Sequence, residues 1–356
     1  MISDLDRDAL WRYRSSYQEP ADFDEFWRAT LTSQASPEPR LALVPVDTRL
    51  RSIDVFDVTF AGFGGHPIKG WLRVPRPHGG QLPAVVQFHG YGSGRGRPVE
   101  DLLWASAGYA HLLMDTRGQG GGHAGGCTPD PLAGGPSSSG FLTSGIQDKD
   151  TYSYRRVYTD AVQAVRAIRN AAFADPGRVA VAGASQGGGI ALAVAGLVPD
   201  LAAVYLQAPF LCDIRRATLI TDAAPYMEIK TYLSAHRGEV AEVFATLAYF
   251  DGIGFARRAA APAWFSTGLM DDVCPPSTVF GAFHAYRGRK QIEVWEYNGH
   301  EAGGSHDLEI VLGAFGSLLT PDGPAINGKD HDGGLAGQPE NGQARHERGR
   351  AESEES

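Results

Sequence analysis

Residues 179–197 carry two apolar runs joined by Gly183-Ala184-Ser185-Gln186-Gly187. Val179-Ala180-Val181-Ala182 reads as a buried strand, and Ile190-Ala191-Leu192-Ala193-Val194-Ala195 as a helix. A chain that passes from strand to helix within so few residues must turn sharply. Glycines then stand where a Cβ would collide, and the turn lifts the serine hydroxyl clear of the backbone. The pentapeptide alone is weak: 21 serines and 45 glycines in 356 residues give roughly 0.3 chance matches of G-x-S-x-G. Its flanks supply the meaning. They also explain why residues 179–198, which hold no formal charge over the length of a membrane span, read as a strand and a helix of an α/β core and not as a span.

The rest of the chain repeats that alternation. Strands are expected at 84–88, 110–115, 179–182, 202–207, 263–267 and 292–297, with helices at 99–106, 152–170, 188–197, 252–259 and 276–286. This predicts an α/β fold, with a mostly parallel twisted sheet and helices on both faces. An N-terminal extension over about 1–50 opens the chain. Phe23, Phe26, Trp27 and Leu31 fall at helical spacing within 20–32, with acids in the first turn. Residues 52–60 and 68–74 form an expected hairpin around Gly62-Phe63-Gly64-Gly65.

Two stretches interrupt the rhythm. Residues 118–145 are rich in glycine and serine and form a long loop of the kind that is often functional or flexible. Residues 213–250 are mostly helical and read as a cap inserted over the carboxyl edge of the sheet. One α/β domain over 1–319 is expected, followed by a polar, disordered tail at 320–356.

The net charge of −9 bears on partners. The tail holds eight acids against four bases, so about −5 is left for the remainder, and nothing recommends a nucleic acid. Cys127, Cys212 and Cys274 are too few and too widely spaced for a disulfide framework or a C-x-x-C metal site. They suit a reducing compartment. The N-terminal residues lack the basic start and apolar run of a secretory leader, so a cytoplasmic location away from membranes is expected.

A serine nucleophile needs a base to take its proton and an acid to hold that base in one tautomer. In α/β hydrolases the chain order is Ser, Asp or Glu, His, on loops after successive strands. Here Gly268-Leu269-Met270-Asp271-Asp272 follows the strand ending at 267, and Asn298-Gly299-His300-Glu301 follows the one ending at 297. Ser185, Asp271 or Asp272, and His300 are therefore the candidates. The amide of Gln186 and one from His89-Gly90-Tyr91-Gly92, which follows the strand at 84–88, can form an oxyanion hole, with Tyr91 the expected donor. Other chemistry fits poorly. His300-Glu301 and His306 are spaced too far apart to share a helical face as a zinc peptidase requires. Gly90 to Gly96 matches neither a dinucleotide fingerprint nor a phosphate loop. No metal and no cofactor is expected.

Arg117-Gly118-Gln119, the elbow with glutamine after its serine, and His300-Glu301 together resemble the acetyl xylan esterase and cephalosporin C deacetylase group, carbohydrate esterase family seven of the α/β-hydrolase superfamily. Residues 20–32, His89-Gly90-Tyr91 and residues 268–278 support the resemblance, which spans roughly 15–320. It implies that the acid is Asp271, that the Tyr91 and Gln186 amides form the oxyanion hole, and that Arg117 and Gln119 brace the loops. It further implies that Pro225, with Tyr91, narrows the acyl pocket. Glu301 is expected to anchor its loop. The implied substrates are acetylated xylo-oligosaccharides, cephalosporin C and small acetate esters, and the implied assembly is a cytoplasmic homohexamer. The alternatives left open are another hydrolase of this fold, peptidase or dienelactone-hydrolase-like, and a catalytically silent binding protein.

Overall fold

Alternating burial builds the entry to the sheet. In β2 (Ile53–Ala61) Ile53, Val55, Val58 and Phe60 are buried and their neighbours less so, and β2 pairs antiparallel with β3 (Pro67–Pro75) across a short turn at Phe63–Gly65. This is the expected hairpin. An exposed edge strand, β1 (Ala42–Val46), adds to β2; its Pro45 and its lack of polar–apolar alternation hide it from the sequence pattern. The computed structural model describes residues 4–35, 39–134 and 139–319, which belong to one compact unit spanning Met1–Gly323. The segment 320–356 and the disorder expected there lie outside the described residues, as do Ser137 and Ser138 of the glycine-rich loop.

The remaining strands are β4 (Leu82–Phe88), β5 (Ala110–Met114), β6 (Ala174–Ala184), β7 (Ala203–Gln207), β8 (Ala263–Gly268) and β9 (Lys290–Trp295). The nine-stranded sheet runs in the order β1-β2-β3-β5-β4-β6-β7-β8-β9, with every pair from β5 across to β9 parallel. Consecutive connections leave β4 in one direction to β5 and return on its other side to β6. The carboxyl ends of β4 and β6 therefore flank the point where strand order reverses, the natural place for a ligand crevice.

Strand pleating sends alternate residues to two cores. Val179 and Val181 of β6 pack with Val86 and Leu206 beneath the helices Ser153–Arg169 and Gln186–Leu197, whereas Ala180 and Ala182 face Trp104, Phe315 and Leu319 on the opposite side. Helices thus cover both faces. The N-terminal helix Phe23–Ser33 buries Phe23, Phe26 and Trp27 as its spacing predicts, and the Trp27 ring lies 5.6 Å from Phe250 and 5.4 Å from Phe255. Among the described residues, no helix is long and apolar enough to cross a membrane.

Two helical expectations need correction, and one long helix has no counterpart among them. The helix placed at 99–106 spans only Leu103–Ser106, because Asp101 adopts φ +50°, which stops a helix from running back to Val99. The helix placed at 252–259 closes at Ala256. Helix Ser305–Leu319 was not expected at all: Gly313 and Gly316 weaken its propensity, and burial of Val311, Phe315 and Leu319 against the sheet overrides that weakness.

Helices Ile214–Ile220, Tyr226–Ala235 and Val240–Leu247 lie between β7 and β8, in the stretch read as a cap insertion. The described part of the glycine-rich loop is pinned. Asp115 at the end of β5 accepts the backbone N–H of Arg95, Cys127 and Thr128, and Gly126 presses so closely on Gly94 that a Cβ there would fall 2.2 Å away. Arg117 makes a bidentate pair with Asp160 at 2.5 and 2.7 Å, and Arg156 grips Asp130 at 2.8 Å; all four are buried. These pairs tie the loop to helix Ser153–Arg169. Replacing Asp160 with Asn removes the charge of the bidentate pair and leaves the buried Arg117 guanidinium to the longer Asp130 contact at 3.8 Å. Asp160→Asn should cost about 3–5 kcal/mol in chemical denaturation; a loss below about 1 kcal/mol would mean that the pair does not hold the loop.

Candidate active site

The elbow owes its shape to what a side chain would strike. Ser185 sits at φ 56°, ψ −122° between β6 and helix Gln186–Leu197, a conformation that costs of order 1–3 kcal/mol for a non-glycine residue. A Cβ on Gly183 would lie 2.2 Å from the Gly187 carbonyl, and one on Gly187 would lie 2.0 Å from the Phe88 carbonyl oxygen. Only glycine fits at either position. The first turn of the helix therefore rests directly on the end of β4.

Asp271 and His300 meet from neighbouring loops. The Asp271 carboxyl is fully buried. Its Oδ1 accepts the Val273 and Cys274 N–H groups at 2.9 and 2.8 Å, and its Oδ2 lies 2.9 Å from His300 Nδ1. One carboxylate thus both caps the turn ahead of Pro275 and orients the imidazole. The pair places the proton on Nδ1 and leaves Nε2 as an acceptor. The two loops cross so tightly that a Cβ on Gly268 would lie 2.3 Å from the Asn298 and Gly299 carbonyls. The Glu301 side chain turns back on its own loop, accepting Asn298 Nδ2 at 3.0 Å and the Gly299 N–H at 3.3 Å; the Asn298 bond holds its carboxyl below the ordinary range. Gln207 at the end of β7 donates to the Glu301 carbonyl at 2.6 Å.

Cys274 is a neighbour that spacing alone did not reveal. Its buried thiol, pushed well above the usual range by desolvation and then by Asp271, faces the Ser185 hydroxyl. The Asp271, Cys274 and His300 ligand atoms lie within 4.8 Å of one another, which links serine, acid and base in space. This is the grouping among the described residues that could ligate a metal. An ion there would have to displace the proton shared by Asp271 and His300. Among the described residues, no hydrogen bond joins Ser185 to His300, a contact that often tightens only once substrate is bound.

The Tyr91 and Gln186 amides donate to no group among the described residues, which leaves both available to a developing oxyanion. The Gln186 side chain explains how they are held. It exchanges two hydrogen bonds with Gln119, at 2.9 and 3.0 Å, accepts the Tyr154 hydroxyl at 2.7 Å, and reaches the His89 carbonyl at 3.4 Å. Gln119 in turn accepts the Gly92 N–H at 2.9 Å. The residue after the serine therefore fixes the turn that carries Tyr91. Arg117 stays in its ion-pair network, and Pro225 is buried at the start of the cap helix Tyr226–Ala235. A cavity of about 260 Å³ between the N-terminal segment and the cap, lined by Tyr17, Asp213, Phe244 and Asp251, includes none of Ser185, Asp271 or His300.

The family model described as acetyl xylan esterase (AXE1) matches residues 1–313. The chain belongs to the acetyl xylan esterase family. Its structure is similar to the acetyl xylan esterase from Paenibacillus sp. R4, with 36% identity, a TM-score of 0.81, and coverage of 88% of this chain and all of that one. Acetyl Xylan Esterase 1 from Thermoanaerobacterium sp. JW/SL YS485 gives 33% identity and a TM-score of 0.78 over 89% of this chain and all of that one. A curated relative, acetyl esterase Axe7A of Xylanibacter ruminicola, is 27% identical over 292 residues, which are 80% of this chain and 64% of that protein's length. The acylaminoacyl peptidase of Pyrococcus horikoshii, at 16% identity and a TM-score of 0.57, shares the fold.

Gly187→Ala tests the close approach that shapes this family site. A methyl group 2.0 Å from a backbone oxygen must displace the helix. A destabilisation of about 1–3 kcal/mol is expected in thermal or denaturant unfolding, and a variant as stable as wild type would refute the contact.

Proposed function

We propose that this member of the acetyl xylan esterase family is a serine esterase that removes acetyl groups from acetylated xylo-oligosaccharides, cephalosporin-type esters and other small acetate esters. The observation that carries this reading is the convergence of the Ser185 elbow with the Asp271–His300 pair, whose 2.9 Å contact leaves the distal imidazole nitrogen free to accept a proton.

In this reading His300 Nε2 takes the Ser185 proton as the serine oxygen attacks the acetyl carbonyl. The carbonyl π electrons move onto oxygen, and the Tyr91 and Gln186 amides hold that charge. Collapse expels the sugar or other alcohol, which leaves with the proton from His300. Water then enters, gives a proton to His300 and attacks the acetyl-enzyme. Acetate departs and Ser185 recovers its proton. Asp271 holds the imidazole in place throughout, its own position fixed by two backbone N–H groups. Tyr91, whose ring packs at 6.1 Å from Phe210 behind the elbow, and Pro225, at the head of the cap helix, bound the acyl side, while the alcohol side stays open.

Hydrolysis of nitrophenyl esters from acetate to octanoate tests this. Acetate should be preferred; a preference for octanoate would sink the acetyl-esterase reading. Ser185→Ala should abolish turnover, and Asp271→Asn should lower kcat by about 10⁴-fold. Undiminished activity in either variant would remove that residue from the mechanism.

A further inference from the structure

Glu228 lies on the cap helix Tyr226–Ala235, one turn after Pro225, and its carboxylate gathers donors from two other segments. Oε2 accepts the Tyr91 hydroxyl at 2.7 Å and the Leu142 N–H at 3.3 Å, and Oε1 accepts the Gly140 N–H at 3.0 Å. The Leu142 N–H also reaches the Tyr91 oxygen at 2.9 Å. Desolvation, then the Glu228 carboxylate, pushes the Tyr91 phenol far above its ordinary value, so it remains a donor. Among the described residues, the Tyr91 hydroxyl and the Leu142 and Gly140 N–H groups are the donors that reach the Glu228 carboxylate.

Two of the segments joined here, the Tyr91 turn and the helix headed by Pro225, are those that the reading above sets on the acyl side of Ser185; the third, 140–142, packs Phe141 against the Tyr91 ring. Tyr91 carries a candidate oxyanion amide, and its ring meets Phe141 edge-on at 5.3 Å and Phe210 at 6.1 Å; the Phe210 N–H donates to the Ser185 carbonyl at 3.0 Å. Behind the loop, Ser153 Oγ and the Tyr152 hydroxyl hold the Phe141 and Leu142 carbonyls at 2.7 and 3.0 Å. The loop is thus fixed on its far side, and Glu228 is the joint on the side facing Tyr91.

We propose that Glu228 is a positioning residue that sets acyl-chain selectivity. By locking the Tyr91 hydroxyl between the cap and the loop, it fixes how much room the Tyr91 ring leaves beyond the acyl carbonyl, and it keeps the Tyr91 amide directed at the oxyanion. Removing the carboxylate frees the ring to swing aside, so a longer acyl chain gains access while the acetyl reaction loses a well-placed amide. The effect is a change of ratio between substrates, which a loss of stability alone does not produce. The inference rests on the serine-esterase reading above.

The test is kcat and KM for nitrophenyl acetate and nitrophenyl butyrate with the full chain as wild type, Glu228→Ala, Glu228→Gln and Tyr91→Phe. The butyrate-to-acetate ratio of kcat/KM should rise on the order of tenfold in Glu228→Ala, with kcat for acetate falling more than KM changes. Glu228→Gln, which keeps one acceptor oxygen, should shift the ratio in the same direction by less, and it serves if the alanine variant does not fold. Tyr91→Phe should raise the ratio too and add nothing when combined with Glu228→Ala. An unchanged ratio in both Glu228 variants, with all rates or only the Tm lowered alike, overturns the proposal. Failure of the wild type to hydrolyse acetate would instead overturn the esterase reading.

Discussion

The contact between the first turn of helix Gln186–Leu197 and the end of β4, where Gly187 lies against the Phe88 carbonyl, governs the geometry of the site. It brings a helix N-terminus, with its unpaired N–H groups, beside the turn that carries Tyr91. Ser185 is held in its unfavourable backbone conformation because both neighbouring elements are buried in the sheet core and cannot relax. The Gln186 and Gln119 side chains extend that contact outward, binding His89 and Gly92 so that the turn keeps its place. Strain at one residue is therefore opposed by packing and hydrogen bonds spread over three segments.

The other half of the site depends on a carboxylate with two tasks. Asp271 closes its own turn through Oδ1 and orients His300 through Oδ2, so the loop geometry and the imidazole geometry cannot vary separately. The crossing of the loops at Gly268 and the return of Glu301 onto Asn298 and Gly299 add rigidity from outside. Such a site is built on strand ends, with second contacts supporting each group, which suits chemistry that needs fixed positions.

What could be read from the sequence was whatever a local pattern records. The elbow, the hairpin, the six strands from β4 to β9, the cap and the placement of Asp271 and His300 on successive loops each follow from periodicity, turn residues or chain order. Helix Ser305–Leu319 escaped the sequence pattern because tertiary packing overrides its weak propensity, and exposed edge strand β1 because Pro45 obscures the strand signal. Glu228 and Tyr154 were missed for another reason: the Tyr91–Glu228 bond spans 137 residues and the Tyr154–Gln186 bond 32, and nothing local marks either partner. Cys274 lay within a stretch already singled out, yet only the folded loop brings its thiol to Ser185. Sequence order offered both Asp271 and Asp272 beside the base, and the fold turns Asp271 Oδ2 to His300 while its Oδ1 closes the turn.

The most direct measurement is a crystal structure of the protein after reaction with a small alkyl phosphonate, whose tetrahedral phosphorus stands in for the attacked acetyl carbon. A covalent bond to Ser185 Oγ is expected, with a phosphonyl oxygen about 2.7–3.1 Å from both the Tyr91 and Gln186 amide nitrogens and His300 Nε2 turned toward the serine oxygen. A bond to another residue, or a phosphonyl oxygen pointing away from both amides, would contradict it.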